Sequence, residues 1–278
     1  MKILLTLLCA LLTFSALATT SERNPHEYQI LAHEDLGSEV KEQDFYFVVV
    51  EALRLYQDEA IKQKRGISVK TLDWQTPYFS AWALYDDKAN HFNINFWGGF
   101  ARMPNMTKRA YAFTACHEIG HVLGKAPRME NKHFSQMSTE GQSDFFAAAS
   151  CYKKFVINNP NYFDSPIELD PYAASLCLEK FSSDNFNQEL CFETMQVAQD
   201  FPKAIAHMSS DPNKHAKITN SDPTTVTKTL DSYPTLQCRM DIIKNGALLD
   251  FSGDEISIKN LESRLPCWFA NSATSHIH

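Results

Sequence analysis

The distribution of apolar and polar positions predicts one long helix followed by a small group of strands. Residues 39–65 have the length and the recurring apolar positions of a helix that ends before Gly66. Short strand-like runs follow, with the bounds 67–74, 81–87 and 91–97. Because residues 86–90 are suited to a turn, we predict that the last two strands form a hairpin within a small antiparallel sheet.

The central and C-terminal parts of the chain predict further helices. Thr107 is suited to cap a helix that Gly124 ends, and a second helix is predicted over 140–156 after a polar loop. Residues 160–278 indicate additional helices separated by polar, proline-containing loops. We therefore predict a mainly helical α+β fold with one small sheet.

The N-terminal residues have the pattern of a secretory signal peptide. Lys2 precedes an uncharged apolar run, and Ala16-Leu17-Ala18 supplies the small residues of a cleavage site. A membrane anchor is the alternative, but the run is short and polar residues follow it. We predict that residues 1–18 are removed and that the protein is periplasmic or secreted. No second apolar run reaches spanning length, so stable membrane insertion is not expected.

Charge and cysteine content narrow the classes of function. The net charge is −7 and there is no basic stripe, so binding to nucleic acid is not expected. Six of the seven cysteines follow the predicted signal peptide, and an even number in an exported chain favours disulfides. Six cysteines allow fifteen pairings, among which the sequence does not choose; Cys151 is one conceivable partner of Cys116. The six are Cys116, Cys151, Cys177, Cys191, Cys238 and Cys267.

The stretch "AFTACHEIGHVLGKAP", residues 112–127, contains a candidate zinc site. On a helix, His117 and His121 lie one turn apart on the same face, so both imidazoles can reach one ion. Glu118 projects beside that face, where a carboxylate can act as general base toward a water that zinc activates. By chance alone, this spacing occurs in roughly one chain per hundred of this length.

A catalytic zinc site needs a third protein ligand, and "STEGQSDFFA" supplies a candidate. Glu140 and Asp144 are four residues apart at the start of the next helix, so both can face the helix that carries the histidines. Glu140 could complete the ligands of one Zn²⁺ ion, and Asp144 could accept a hydrogen bond from His117 and fix its tautomer. The alternative is an exposed acidic pair at a helix N-terminus.

These motifs resemble those of the gluzincin metallopeptidases, in which "HEIGH" is followed by a glutamate ligand in an E-x-x-x-D motif such as "EGQSD". The layout before the zinc helix is similar to the HtpX-type branch, and "YPTLQCRM" resembles its late H-P-x-x-x-x-R motif. Exported, cysteine-containing bacterial gluzincin-like proteins have similar motifs. The resemblance covers about residues 80–270. It implies a zincin-like fold with the zinc helix pair at its centre. The order of the predicted elements places a lobe boundary near residue 160, between a first lobe over 19–160 with the small sheet and the zinc helices and a helical C-terminal lobe over 161–278.

The resemblance also suggests roles for residues of the late motif. Tyr233 stands where the HtpX-type motif has a histidine thought to stabilise the oxyanion; a phenol can donate a similar hydrogen bond, or Tyr233 is a packed turn residue. Arg239 could orient the site or pair with an acid such as Asp144. His207 and His215 are alternative electrophiles, although histidines in polar loops are commonly only exposed.

The strand "HFNINFW" has a functional interpretation as well. In gluzincins, an edge strand beside the zinc helix binds an extended peptide through main-chain hydrogen bonds. With Phe92, Ile94 and Phe96 toward the core, Asn93 and Asn95 would face outward beside the substrate.

The leading hypothesis is an exported zinc metallopeptidase that hydrolyses peptide or protein substrates by zinc-activated water. Glu118 is the general base and Tyr233 a candidate oxyanion donor. One alternative is a non-catalytic, zinc-binding envelope protein that retains the fold. Another is a hydrolase of peptidoglycan stem peptides. The sequence predicts neither the substrate nor the oligomeric state.

Overall fold

The computed structural model describes residues 29–209, 211, 214–251 and 263–270. The predicted signal peptide lies outside these residues. The described part is mainly helical with one small sheet, which confirms the predicted α+β class.

The first helix, the three strands and the two central helices lie close to their predicted positions. In chain order the elements are α1 (Glu42–Lys62), β1 (Gly66–Asp73), β2 (Ala81–Asp86), β3 (His91–Trp97), the single turn α2 (Gly98–Ala101), α3 (Lys108–Leu123), α4 (Glu140–Phe146), α5 (Tyr152–Asn158), α6 (Pro171–Lys180), α7 (Asn185–Ile205) and α8 (Leu236–Ala247).

One face of α1 packs against the core. Its buried positions include Phe45, Val48, Ala52 and Tyr56, which recur every three or four residues and therefore share one side of the helix. The rings of Phe45 and Tyr111 are stacked with their centroids 5.9 Å apart. This contact sets α1 against α3.

The three-stranded sheet has β3 at its centre, in the order β1-β3-β2. β2 and β3 form the predicted antiparallel hairpin, but β1 pairs with β3 in parallel. The prediction of an antiparallel sheet is therefore wrong for β1. The chain passes from β1 to the far edge of the sheet, where it forms β2, and then returns as β3 between the two. Because β1 and β3 are not joined directly, they can pair in parallel.

The central place of β3 also contradicts its predicted position at an edge of the sheet. Both sides of β3 are hydrogen-bonded within the sheet, so it has no free edge for an extended peptide. Phe92, Ile94 and Phe96 are buried as predicted. Asn95, however, is only 2% exposed, and its amide donates to the Asn93 carbonyl at 3.2 Å. The predictions that this strand lies at an edge of the sheet and that Asn95 faces outward are therefore wrong, while substrate binding by Asn93 and Asn95 stays a prediction without an edge strand to support it.

Helices α3 and α4 lie side by side in the interior. Every residue of α3 from Arg109 to Leu123 is buried, and so is all of α4. Thr107 caps α3 as predicted. A Cβ at Gly120 would lie 2.9 Å from Ser143 Cα, so the two backbones can approach this closely only because Gly120 lacks a side chain. The predicted central helix pair is therefore present.

The second predicted helix, 140–156, is not a uniform α-helix. A π-helical segment, Ala147–Cys151, separates α4 from α5. A π-helical turn contains more residues than an α-helical turn, so the side chains after it point in different directions than a uniform helix would give. Cys151, the last residue of this segment, forms a disulfide with Cys116 of α3.

All six cysteines that follow the predicted signal peptide are paired. The disulfides are Cys116–Cys151, Cys177–Cys191 and Cys238–Cys267, with sequence separations of 35, 14 and 29 residues. The predicted presence of disulfides is thus confirmed.

The hydrophobic core includes residues from both sides of position 160. The rings of Phe113 on α3 and Phe201 on α7, for example, have centroids 4.8 Å apart. The division into lobes at residue 160 stays a prediction. Among the described residues, no helix combines the length and the apolar character needed to cross a membrane.

The buried Lys153 gives a pH-dependent prediction for stability. Its side chain is fully buried, and Nζ donates to the carbonyls of Ala247, the last residue of α8, and of Leu249, two residues later. Burial lowers the pKa of Lys153 to about 7. Between that pH and the ordinary lysine pKa of about 10.4, the unfolded chain binds a proton that the folded chain does not. Lys153 therefore makes the free energy of unfolding rise with pH in this window.

We expect Lys153→Met to remove this rise, which amounts to at most about 1.4 kcal/mol per pH unit. The measurement is urea unfolding of both proteins, disulfides intact, at several pH values between 7 and 10. Lys154→Met, on the same helix, controls for loss of a lysine. Equal pH slopes for wild type and Lys153→Met would show that Lys153 keeps its proton in the folded state.

Candidate metal centre

The middle of α3 presents three polar side chains inside the protein. His117, Glu118 and His121 are each 4% exposed. The two histidine rings are 4.7 Å apart at their centroids, as expected for residues one helical turn apart. Polar groups at this depth need partners, and the histidines find theirs on α4 and in the loop before it.

The Nδ1 atoms of both histidines are held by neighbouring groups. His117 Nδ1 lies 2.7 Å from Asp144 Oδ1. His121 Nδ1 lies 2.8 Å from the Ser138 carbonyl oxygen and 3.0 Å from Ser143 Oγ. A neutral imidazole that donates from Nδ1 has its lone pair on Nε2, so these partners prepare both Nε2 atoms to bind a metal.

Glu140 faces both Nε2 atoms. It is the first residue of α4, and the preceding Thr139 caps the helix by accepting from Gln142 N. Glu140 Oε2 lies 3.0 Å from His117 Nε2 and 3.5 Å from His121 Nε2. The donor atoms of the three residues all lie within 4.8 Å of one another. The residues predicted as ligands are therefore together and could hold one metal ion.

The electrostatics of the cluster favour a cation. Burial alone lowers the pKa of His117, but the carboxylates of Asp144 and Glu140 raise it to about 10. Burial likewise opposes the charge on Glu140, yet the two histidines hold its pKa well below the ordinary value. The protein thus attracts positive charge to the point where the three donors meet. Two imidazoles and one carboxylate are ligands that Zn²⁺ accepts.

Glu118 is buried beside the ligands but is not one of them. Its Oε2 atom is enclosed and has no hydrogen-bond partner among the residues that the structure describes. Burial raises the pKa of this carboxyl group. Since buried polar atoms are nearly always paired, an unpaired carboxylate oxygen next to a metal-binding cluster fits a group that handles a proton.

Arg239 of α8 orients the cluster from behind Asp144. Its Nε and Nη2 atoms donate to the two Asp144 oxygens at 2.7 and 2.8 Å, while Asp144 Oδ1 also faces His117. The guanidinium lies over two aromatic rings, 4.8 Å from the centroid of Phe201 and 5.1 Å from that of Tyr233. The predicted pairing of Arg239 with Asp144 is present.

Tyr233 lies at the surface, covering Arg239. The residue is 60% exposed, whereas the ligands and Glu118 are almost enclosed. The charge of Glu140 raises the pKa of the Tyr233 phenol well above its ordinary value, and Glu118 acts in the same direction. The phenol therefore stays protonated at neutral pH and can donate a hydrogen bond at the edge of the site.

The two histidines considered as alternative electrophiles lie elsewhere. His207 and His215 both line a cavity of about 640 Å³, together with Lys203 and Lys214. None of the residues that form the metal centre lines this cavity. The structure therefore does not bring His207 or His215 to Glu118.

Several supporting groups were not predicted from the sequence. Ser143 lies within "EGQSD", three residues after Glu140, so helical spacing could have placed it on the same face. Ser138 acts through its backbone carbonyl, which leaves no signal in the side-chain pattern. Phe201 is one apolar residue among many on α7.

Comparisons with known proteins give no assignment: no protein-family model matches the chain, and no curated protein or solved structure is significantly similar to it. Any function must therefore be inferred from the site itself.

Asp144→Asn is expected to weaken both the fold and the site. The change leaves the buried Arg239 without its counter-charge, which costs about 3–5 kcal/mol of stability. It also weakens the acceptor of His117 Nδ1, and loss of such a partner lowers metal affinity by about 10–100-fold. Urea unfolding of the metal-free protein and a zinc titration against a competing chelator measure the two effects.

The matched control is Asp241→Asn, which removes another buried carboxylate that pairs with Lys244 at 2.9 Å. It should reduce stability without changing zinc affinity. If both variants bind zinc like the wild type, the contact between Asp144 and His117 does not support the metal centre.

Proposed function

We propose that this protein is an exported zinc metallopeptidase of the gluzincin type, which hydrolyses peptide bonds. The observation that supports this most strongly is the combination of a buried His-His-Glu cluster with an adjacent, unpaired carboxylate oxygen of Glu118. The three ligands alone would suit many metal sites. The additional buried acid is what a hydrolytic site requires.

His117, His121 and Glu140 would hold one Zn²⁺ ion. When bound there, the ion acts as a Lewis acid that polarises oxygen ligands and lowers the pKa of water. The protein residues supply the remaining functions. Asp144 and the Ser138 carbonyl favour the tautomer of the two imidazoles that carries its lone pair on Nε2.

Glu118 is the proposed general base. Its Oε2 accepts a proton from the attacking water and then delivers it to the nitrogen of the leaving amine. The enclosed position supports this role in two ways. Burial raises the carboxyl pKa toward the range in which proton transfer is efficient, and no described residue forms a competing hydrogen bond with Oε2.

Tyr233 is the proposed donor to the carbonyl oxygen of the substrate, which gains negative charge during attack. Its protonated phenol and its position at the exposed edge of the cluster are suited to this role. Arg239 fixes the ring from below and fixes Asp144 at the same time. It is thus a positioning residue in this proposal.

A non-catalytic zinc protein is less well supported by the site. Structural zinc sites normally have four protein ligands, whereas this cluster has three among the described residues. A purely structural site would also have no use for the unpaired Glu118 oxygen. Export is proposed from the signal-peptide pattern together with the three disulfides, which are typical of oxidising compartments.

The test is metal analysis of the purified protein together with hydrolysis assays. We expect one zinc per chain and cleavage of casein that a chelator stops and added zinc restores. Cell-wall fragments with stem peptides form a second assay, and cleavage of these alone would indicate a peptidoglycan-peptide hydrolase. Zinc without any hydrolysis would support the non-catalytic alternative. A protein with no stoichiometric metal would contradict the proposal.

A further inference from the structure

Residues 263–270 lie against the elements that form the metal centre. Cys267 is bonded to Cys238, the residue just before Arg239 on α8. The Trp268 carbonyl accepts from Leu230 N at 2.9 Å, which attaches the segment to the loop that leads to Tyr233. The segment therefore contacts α8, which carries Arg239, and the loop that carries Tyr233.

Trp268 connects the same segment to the ligand Glu140. The side chain is fully buried. A Cβ built on Gly141 would lie 2.5 Å from both Cδ2 and Cε3 of Trp268, so the indole packs directly on the backbone of Gly141. Gly141 is the second residue of α4 and follows Glu140. The indole thus contacts the first turn of α4 at the residue next to the third ligand, Glu140.

The contact is maintained at a cost, which indicates a specific role. Trp268 Nε1 is buried and has no hydrogen-bond partner within the described part of the chain, although a buried indole N–H usually has one. Gly141 lies in the first turn of a helix, where glycine has a lower helix propensity than alanine. The chain therefore accepts two unfavourable features that bring the indole and the start of α4 into contact.

We propose that Trp268 is a positioning residue for the metal ligand Glu140, acting through Gly141. The indole fixes the first turn of α4 and with it the direction from which the Glu140 carboxylate meets His117 and His121. The Cys238–Cys267 disulfide holds Trp268 in place from α8. This inference rests on the proposed metal site, but it does not require that the protein hydrolyse peptides.

The test compares zinc affinity among variants at Gly141 and Trp268, using the full chain with its disulfides intact. Trp268→Ala is expected to bind zinc about 10–100-fold more weakly, the range found when groups that orient a ligand are removed. Trp268→Phe, which keeps an aromatic ring, should retain most of the affinity. Competition with a chromogenic chelator gives the affinities, and hydrogen exchange across residues 139–144 of the metal-free protein reports the order of the first turn.

Gly141→Ala provides the decisive comparison. Helix propensity alone would make alanine stabilising here, so a loss of zinc affinity must come from the collision with the indole. We expect Gly141→Ala to weaken zinc binding in the wild-type background and to have no further effect in Trp268→Ala, where the space is free. An equal effect in both backgrounds, or none in either, would overturn the proposal.

Trp74→Ala is the matched control, since Trp74 is also buried, at 7% exposed, but lies outside the metal centre. It should reduce stability and leave zinc affinity unchanged. If Trp74→Ala weakens zinc binding as much as Trp268→Ala, the effect of Trp268 is general destabilisation. A wild-type protein that binds zinc but cleaves nothing would overturn the peptidase proposal and leave this one standing. Wild-type protein without zinc would contradict both.

Discussion

Glu118→Gln is expected to abolish peptide hydrolysis while the zinc stays bound. Glu118 lies outside the ligand set, so the amide variant keeps His117, His121 and Glu140 as donors. It cannot accept the proton of the attacking water, and loss of a general base typically costs about 10²–10⁴-fold in rate. Metal analysis and the casein assay, carried out on the same preparation, measure both properties.

The matched control for this variant is Glu59→Gln, because Glu59 is another glutamate that is 4% exposed but lies on α1. It should remain active. Burial raises the pKa of Glu118, so its ionised form opposes folding at neutral pH in the metal-free protein and the glutamine variant avoids that cost. We therefore expect Glu118→Gln to be folded. Hydrolysis at the wild-type rate would show that another group is the base.

Glu140→Ala is expected to lose stoichiometric zinc. The change removes the only negatively charged ligand of the three and leaves two imidazoles. Removing a ligand should lower affinity by more than the roughly 10–100-fold caused by loss of a supporting group. Isothermal titration with Zn²⁺, preceded by removal of bound metal, gives the change.

Glu130→Ala controls for loss of a carboxylate in the neighbouring loop, where Glu130 is exposed and pairs with Lys228. It should bind zinc like the wild type. Unchanged zinc binding by Glu140→Ala would instead direct attention to Asp144 or to a different site. Such a result would also remove the basis for Trp268 as a positioning residue.

The parts of the fold that depend on local sequence were predictable. The helix α1, the β2–β3 hairpin and the cap of α3 by Thr107 follow from spacing, turn residues and capping chemistry. The order of the strands does not follow from the local sequence. It depends on where β3 returns after β2, and a strand with this sequence can lie at the centre or at the edge of a sheet. The wrong edge position predicted for the strand that carries Asn93 and Asn95 followed directly from this limit.

The residues of the candidate site also divide into those that the local sequence predicts and those that it does not. His117, Glu118 and His121 share a helix, and Glu140 and Asp144 share the next, so helical periodicity places each group. The residues that come from far along the chain are harder to predict. Arg239 was recognised only through the resemblance of its motif. Trp268 had no signal, because its role depends on a close contact with a glycine that only the folded chain reveals.

The three disulfides between described cysteines follow one another along the chain without overlapping: 116 to 151, 177 to 191 and 238 to 267. None of these cross-links spans the loop between α5 and α6. A protease cut within residues 159–170 would therefore leave two fragments joined only by noncovalent packing. The ligands and Glu118 would remain on one fragment, and Arg239, Tyr233 and Trp268 on the other. The two should migrate together on a gel-filtration column and separate on a denaturing gel without any reducing agent.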